Sequence, residues 1–335
     1  MIKHPVILVA AALLLVACNR HPNQPKPTDP KPAKTVVVPV FNADSAYAFV
    51  NAQTDFGPRV PNSEAHEQCA QWLVDKLSQY ADTVIVQPFR TRLYNNQGID
   101  GKNLIASFHP EAKKRILLCA HWDSRPFADH DPDPANWNHP IDGANDGASG
   151  VGILLENARC FHEQPLPEKL GVDIIFFDLE DYGPPFDQSE QYYDDERNHW
   201  ALGSQYWATH PHVEGYTANY GILLDMVGGS QPSFKKEYYS QGYAAWVSNQ
   251  VWRLAQNLGY HQYFVNELGD PISDDHLSLN EMAGIPCIDL IDLQPESSNK
   301  SFPDTWHTLE DNFSHIDKGT LEMVGNVLNH TVYQE

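Results

Sequence analysis

Four apolar runs of this 335-residue chain end in side chains that bind protons or metal ions. Ile116-Leu117-Leu118-Cys119-Ala120 leads into His121-Trp122-Asp123, and Ile174 to Leu179 ends in Glu180-Asp181. Ile222-Leu223-Leu224 ends in Asp225, and Ile288-Asp289-Leu290-Ile291 ends in Asp292. Two loop residues join them: Asp146, in Gly143-Ala144-Asn145-Asp146-Gly147-Ala148-Ser149-Gly150, and His307, in Thr305-Trp306-His307-Thr308. Burying uncompensated carboxylates costs roughly 1 to 3 kcal/mol or more for each, and no run of Lys or Arg lies beside these motifs. A divalent cation is the simplest partner, and mixed oxygen and imidazole donors suit zinc.

Each candidate also has a plainer reading. Asp146 can cap the helix that follows it. Glu180-Asp181 can be a solvated strand exit, Asp225 a strand-end cap, His121 a core histidine bonded to backbone, and His307 one surface histidine among 16. Coincidence at every strand end is what those readings fail to accommodate.

The elements that must position these groups are legible in the hydropathy pattern. Asn103 to Phe108, Arg115 to Ala120, Val172 to Leu179, Tyr220 to Met226 and Ile285 to Leu293 are continuously apolar rather than alternating. This predicts strands buried on both faces, as in a parallel sheet. Ser63 to Tyr80, Ala148 to Phe161, Tyr243 to Leu258 and Lys318 to Tyr333 read as helices. The expected fold class is α/β, a mostly parallel central sheet sandwiched by helices. Ligands bind such sheets at the carboxyl ends of the strands, where the motifs stand.

Composition narrows the function further. The chain is 41% hydrophobic and 20% charged, ordinary values for a globular protein. Its 44 acidic and 22 basic residues leave a net charge of −22, which repels phosphate backbones and argues against a nucleic-acid partner. Lys3 and His4, the apolar run Val6 to Val16, and Ala17-Cys18 read as a secretory signal over residues 1–17, too short to span a bilayer. Leu15-Val16-Ala17-Cys18 looks like a bacterial lipobox, so Cys18 is expected to be lipidated and to anchor the chain to a membrane. Asn19 after it points to the outer membrane of the cell envelope, with the periplasmic or surface side left open. Residues 18–40, with Pro22, Pro25, Pro27, Pro30, Pro32 and Pro39, read as an extended tether, and 41–335 as a single catalytic domain. Export permits disulfides among Cys69, Cys119, Cys160 and Cys287, but Cys119 and Cys287 lie in apolar runs that suit buried thiols equally, and no pairing is assigned.

Six ordered motifs carry a resemblance. They are His121-Trp122-Asp123-Ser124, Gly143-Ala144-Asn145-Asp146, Asp178-Leu179-Glu180-Asp181, Leu224-Asp225-Met226, Asp274-Asp275-His276 and Trp306-His307-Thr308-Leu309-Glu310-Asp311. Together they resemble the zinc-dependent M28 clan of aminopeptidases, and within it the glutaminyl-peptide cyclotransferases (glutaminyl cyclases) in their bacterial lipoprotein form. The resemblance implies one zinc per chain, held by Asp146, Asp181 and His307, with Glu180 shuttling protons. It implies that Asp225 and Asp274 serve substrate binding and the proton network, that Trp306 walls the site, and that Trp200 is the second wall. His121 matches a position that binds metal in two-metal peptidases but is not a ligand in the cyclases. The implied reaction is acyl transfer on peptides or proteins with an N-terminal glutamine: the α-amine attacks the side-chain amide, ammonia leaves and pyroglutamate remains.

Two departures stand out. Animal cyclases carry Glu-Glu where this chain has Glu180-Asp181, and the stretch Tyr182 to His199, with Pro184, Pro185, Tyr192 and Tyr193, has no clear counterpart. The nearest rival is an aminopeptidase with two zincs, one on His121, Asp146 and Asp225 and one on Asp146, Asp181 and His307. Trp306-His307, Asp274-Asp275-His276 and the aromatic insertion favour the cyclase. A catalytically inert binding relative would usually have lost a ligand or the base, and this chain keeps them all.

Overall fold

The computed structural model describes Met1, residues 37–192 and residues 198–335. The signal segment, Cys18, the tether as far as residue 36, and Tyr193 lie outside the described residues. In chain order the elements are α1 (Ala43–Thr54), α2 (Glu64–Leu77), β1 (Thr83–Arg92), β2 (Gly98–Phe108), β3 (Lys114–His121), α3 (Ala148–Glu163), β4 (Leu170–Phe177) and α4 (Leu202–Thr209). They continue with β5 (Tyr220–Asp225), β6 (Phe234–Lys236), α5 (Tyr238–Asn257), β7 (Phe264–Leu268), α6 (Asp275–Glu281), β8 (Cys287–Ile291) and α7 (Lys318–Tyr333).

Among the described residues, six strands form the main sheet in the order β1-β2-β4-β3-β5-β8, and β6 and β7 form a small parallel pair. Strands β4, β3, β5 and β8 are mutually parallel, as their apolar runs predict. Asn103 to Phe108 is different, because β2 pairs antiparallel with both β1 and β4. Its continuous burial reflects packed layers on both faces, which strand direction does not decide.

Side-chain alternation divides the core between those faces. Ile116, Leu118, Ile174, Phe176, Ile222 and Leu224 join Val50 of α1, Leu73 of α2, Val151 of α3 and Val324 of α7. Leu117, Cys119, Ile175, Phe177 and Leu223 face the other way, onto Trp207 of α4 and Leu279 of α6. The four body cysteines are buried and unbridged.

Helix starts follow their caps. Ser63 accepts the His66 N–H to open α2, and Asp317 accepts the Thr320 N–H to open α7. Glu237 caps α5 through the N–H groups of Tyr239 and Ser240, so that helix starts five residues before Tyr243. The expected start lies beside a bend at Ala244, where φ −138° and ψ 38° leave helical values.

Candidate active site

The ends of the parallel strands gather the chemical groups. His121 is the last residue of β3 and Asp225 the last of β5, while Glu180-Asp181 follows β4 by two residues. Asp123 then holds the β4 exit in place. Its Oδ1 accepts the backbone N–H of Glu180 at 3.1 Å and its Oδ2 that of Asp181 at 3.2 Å. Asp311 does the same for the loop before α3, accepting the N–H groups of Asn145 at 2.7 Å and Asp146 at 3.0 Å. Two buried carboxylates thus fix two acidic loops through paired backbone donors.

Asp146 does not cap α3. That position belongs to Gly147, at φ 88°, and among the described residues no side chain caps the helix. A Cβ at Gly147 would lie 2.8 Å from His121 Cε1, so the turn needs glycine for both conformation and space. Three non-glycine residues at the site also adopt the left-handed region: Leu179 (58°) before Glu180, Met226 (48°) after Asp225, and His307 itself (54°). Such backbone costs about 1 to 3 kcal/mol per residue, and it clusters where function constrains the chain.

These turns aim the side chains into a cavity of about 410 Å³. Asp146, Glu180, Asp181, Asp225, Asp274, Trp200, Trp306 and His307 all line it. His307 Nε2 lies 3.1 Å from Asp181 Oδ1 and 3.6 Å from Asp146 Oδ2. On the other side of Asp146, His121 Nε2 lies 2.9 Å from its Oδ1 and 3.3 Å from Asp225 Oδ1. Trp306 stacks on the His307 ring at 3.8 Å, and Trp200 lies nearly parallel to that ring at 6.4 Å.

The donor set fits a divalent cation. Asp146, Asp181 and His307 are buried, and each offers an atom within 4.8 Å of the others. Among the described residues Asp181 Oδ2 is buried without a hydrogen-bond partner, the condition a metal ion relieves. His121, Asp146 and Asp225 meet the same spacing, with Asp146 shared by both groups.

A cationic side chain does lie beside these acids: the Arg125 guanidinium is buried, 3.5 Å from Asp181 Oδ1. It is already committed, to both oxygens of Asp129 and to the carbonyls of Asp181 and Pro184. A lone arginine in a loop, paired at i+4, leaves no charge run for the sequence to show. Because Asp129 takes up its charge, Arg125 does not by itself balance the remaining carboxylates.

Burial pushes Glu180 well above the ordinary carboxylate range, with Asp274 and Asp181 adding to the effect and His121 opposing it. Burial and Asp225 push Asp274 up to about 7. Arg125 and His307 hold Asp129 low in spite of its burial.

Asp292, like Asp123, is an expected strand-end acid that does not line the cavity. It accepts the Ser233 N–H at 2.8 Å and the Gln294 side chain at 2.9 Å, a structural task. Sequence reasoning left Asp123, Arg125, Asp129 and Asp311 without roles, although Asp123 and Asp311 stand inside the quoted motifs. It also missed a buried group behind the site, formed by Asp274, His276 and Asp289, with Glu237 3.2 Å from His276.

A family model described as peptidase family M28 matches residues 103–332. The solved glutaminyl cyclase of Bacteroides thetaiotaomicron bound to N-acetylhistamine is 50% identical, with a TM-score of 0.84 over 89% of this chain and 100% of that one. A Zn-dependent exopeptidase from Parabacteroides distasonis is 47% identical, with a TM-score of 0.85 over the same shares. The glutaminyl-peptide cyclotransferase of Gloydius blomhoffii is 28% identical over 286 residues, covering 77% of this chain and 69% of its own length. With the family model spanning the strands and loops that build the cavity, this chain belongs to peptidase family M28.

Proposed function

We propose that this chain cyclises the N-terminal glutamine of peptides and proteins to pyroglutamate, with release of ammonia. The observation that carries the reading is one cavity in which Glu180, Asp225 and Asp274 share space with the Asp146, Asp181 and His307 donors and the Trp200 and Trp306 rings. Similarity to glutaminyl cyclases supports it.

Asp146, Asp181 and His307 would hold zinc, one per chain, which when bound supplies Lewis-acid stabilisation of the charge that develops during amide attack. Glu180 takes a proton from the substrate α-ammonium, freeing the amine to attack its own side-chain carbonyl carbon. As the new C–N bond forms and the old one breaks, Glu180 returns that proton to the departing nitrogen, which leaves as ammonia, and takes the second proton from the attacking nitrogen, so that the neutral lactam remains and the proton passes to solvent. A raised carboxyl suits both halves of that task. Asp225 and Asp274 receive the ammonium end of the substrate. Trp306 and Trp200 keep the glutamine chain folded and exclude the water that would hydrolyse the amide instead. His121 orients Asp146 and Asp225.

A second reading rests on the other donor group: with a second metal on His121, Asp146 and Asp225, the cavity would suit an aminopeptidase. Incubating the purified protein with a glutaminyl dipeptide separates the two. Ammonia without free amino acid is expected, and free amino acid without ammonia would replace cyclisation with peptidase chemistry.

The lipobox-like Leu15 to Cys18 supports placing this activity on a lipid tether at a bacterial envelope membrane, and Asn19 favours the outer one. Mass spectrometry of the mature N-terminus tests the tether, and an unmodified Cys18 would remove it.

A further inference from the structure

The two ring nitrogens of His307 have different surroundings. Nε2 faces the other donors, Asp181 and Asp146. Nδ1 is buried and makes no hydrogen bond among the described residues, and Asp129 Oδ1 stands 3.6 Å from it. An imidazole that gives one nitrogen to a metal carries its proton on the other, and a buried N–H of that kind needs an acceptor.

Asp129 has the chemistry and the room to be that acceptor. Its buried carboxylate receives Arg125 Nε on Oδ1 at 2.8 Å and Arg125 Nη2 on Oδ2 at 2.5 Å. A carboxylate held in a guanidinium fork is ionised and only accepts. The Phe186 N–H adds a second bond to Oδ2 at 2.8 Å, whereas Oδ1, the oxygen beside His307, takes Arg125 Nε alone among the described residues.

The backbone keeps the two residues opposed. The N–H of His130, next in sequence to Asp129, donates to the carbonyl of His307 at 3.1 Å. His307 stands in a left-handed turn outside any helix or strand, so its ring direction depends on such tertiary bonds. The same ion pair reaches a second donor, because Arg125 Nη1 donates to the Asp181 carbonyl at 3.1 Å.

We infer that Asp129 is a positioning residue for the metal centre: it accepts the Nδ1–H of His307, fixes the tautomer that leaves Nε2 for the metal, and so sets the affinity of the site. This rests on the reading that Asp146, Asp181 and His307 hold zinc. At 3.6 Å the contact is longer than a hydrogen bond, and a metal that withdraws charge through Nε2 makes Nδ1–H the stronger donor that completes it. Asp129 also holds the Phe186 N–H, so one carboxylate braces both the metal-binding ring and the stretch Tyr182 to His199 that sets this chain apart in sequence.

The test measures zinc affinity by chelator competition in the full chain, in Asp129→Asn and in Asp131→Asn. Asp131 braces the stretch beside His307 through the Leu309 N–H at 3.2 Å, but among the described residues it does not pair with the His307 ring. Asp129→Asn should still bind one zinc, roughly 10- to 100-fold more weakly, while Asp131→Asn stays within about twofold of wild type. Nitrogen NMR of the zinc-loaded wild type gives a readout that needs no folded Asp129 variant. The His307 Nδ1 signal, assigned by its loss in His307→Ala, should carry a proton that exchanges slowly with water. Unchanged affinity in Asp129→Asn, equal weakening in both aspartate variants, or a His307 that binds zinc through Nδ1 would each overturn the inference. If His307→Ala keeps one zinc at wild-type affinity, the donor reading itself fails and takes this inference with it.

Discussion

Asp123 Oδ1 accepts the backbone N–H of Glu180, so the group proposed to move protons is held through its main chain by a fully buried carboxylate. The other oxygen of Asp123 binds the N–H of Asp181. An asparagine has one acceptor oxygen in place of two. Asp123→Asn should therefore leave one of these N–H groups facing an amide NH₂, lowering unfolding stability by about 1 to 3 kcal/mol and reducing turnover. Urea unfolding and steady-state assays measure both. Unchanged values in both would mean the clamp has no bearing on the site.

Glu180→Gln keeps size and hydrogen bonding and removes the base. Proton shuttles contribute on the order of 100- to 10,000-fold, so turnover should drop by at least the lower bound with zinc content unaltered. Near-native cyclisation by this variant would take Glu180 out of the mechanism. Lost zinc would make it a ligand.

Removing metal with a chelator should abolish activity and lower the melting temperature, and about one zinc per chain should restore both. His307→Ala should eliminate stoichiometric binding, because an open site has no ligand to spare. His121→Ala should retain one zinc with affinity weakened by roughly 10- to 100-fold. Metal analysis of a wild type with two zincs, falling to one in His121→Ala, would put the aminopeptidase reading first.

Burial pushes Asp292 from its ordinary 3.8 up to about 6, against the hydrogen bonds from Ser233 and Gln294. Below the lower value the folded and unfolded chains are both protonated at this site. Between the two, the folded chain keeps a proton that the unfolded chain releases, so Asp292 reduces stability as pH rises through that window. Asp292→Asn does not ionise. Its stability relative to wild type should climb from pH 4 to 6 and level off above about 7, as read from paired denaturation curves. A flat difference across the window would show that Asp292 is not protonated in the folded state.

Much of the scaffold was legible because apolar runs such as Val172 to Leu179, which holds most of β4, can be stable only when covered on both faces. The acids after those runs were legible for the same reason, since they follow directly from buried strands. Asp292 follows a buried strand as the other acids do, but its partners lie outside the cavity. Ile291 lines the cavity, whereas Asp292 beyond the end of β8 binds the Ser233 N–H and the Gln294 side chain. The clamps formed by Asp123 and Asp311 could not be read at all, because they act on backbone N–H groups whose directions depend on left-handed turns such as Leu179. Helices α4 and α6 span only 8 and 7 residues, too short for periodicity to declare them, yet Asp274 enters the site as the cap of α6.

The strand order β4-β3-β5-β8 has a kinetic consequence. His121 leaves β3, Asp181 follows β4, and His307 comes only after β8, so the donors are brought together by crossovers that close long loops. Contacts this distant along the chain close long loops and so carry a large entropic cost. The site therefore depends on the whole of the sheet rather than on any one local segment. The metal would report that the last crossover has docked, and a chain arrested before β8 would hold its acids apart with nothing to capture.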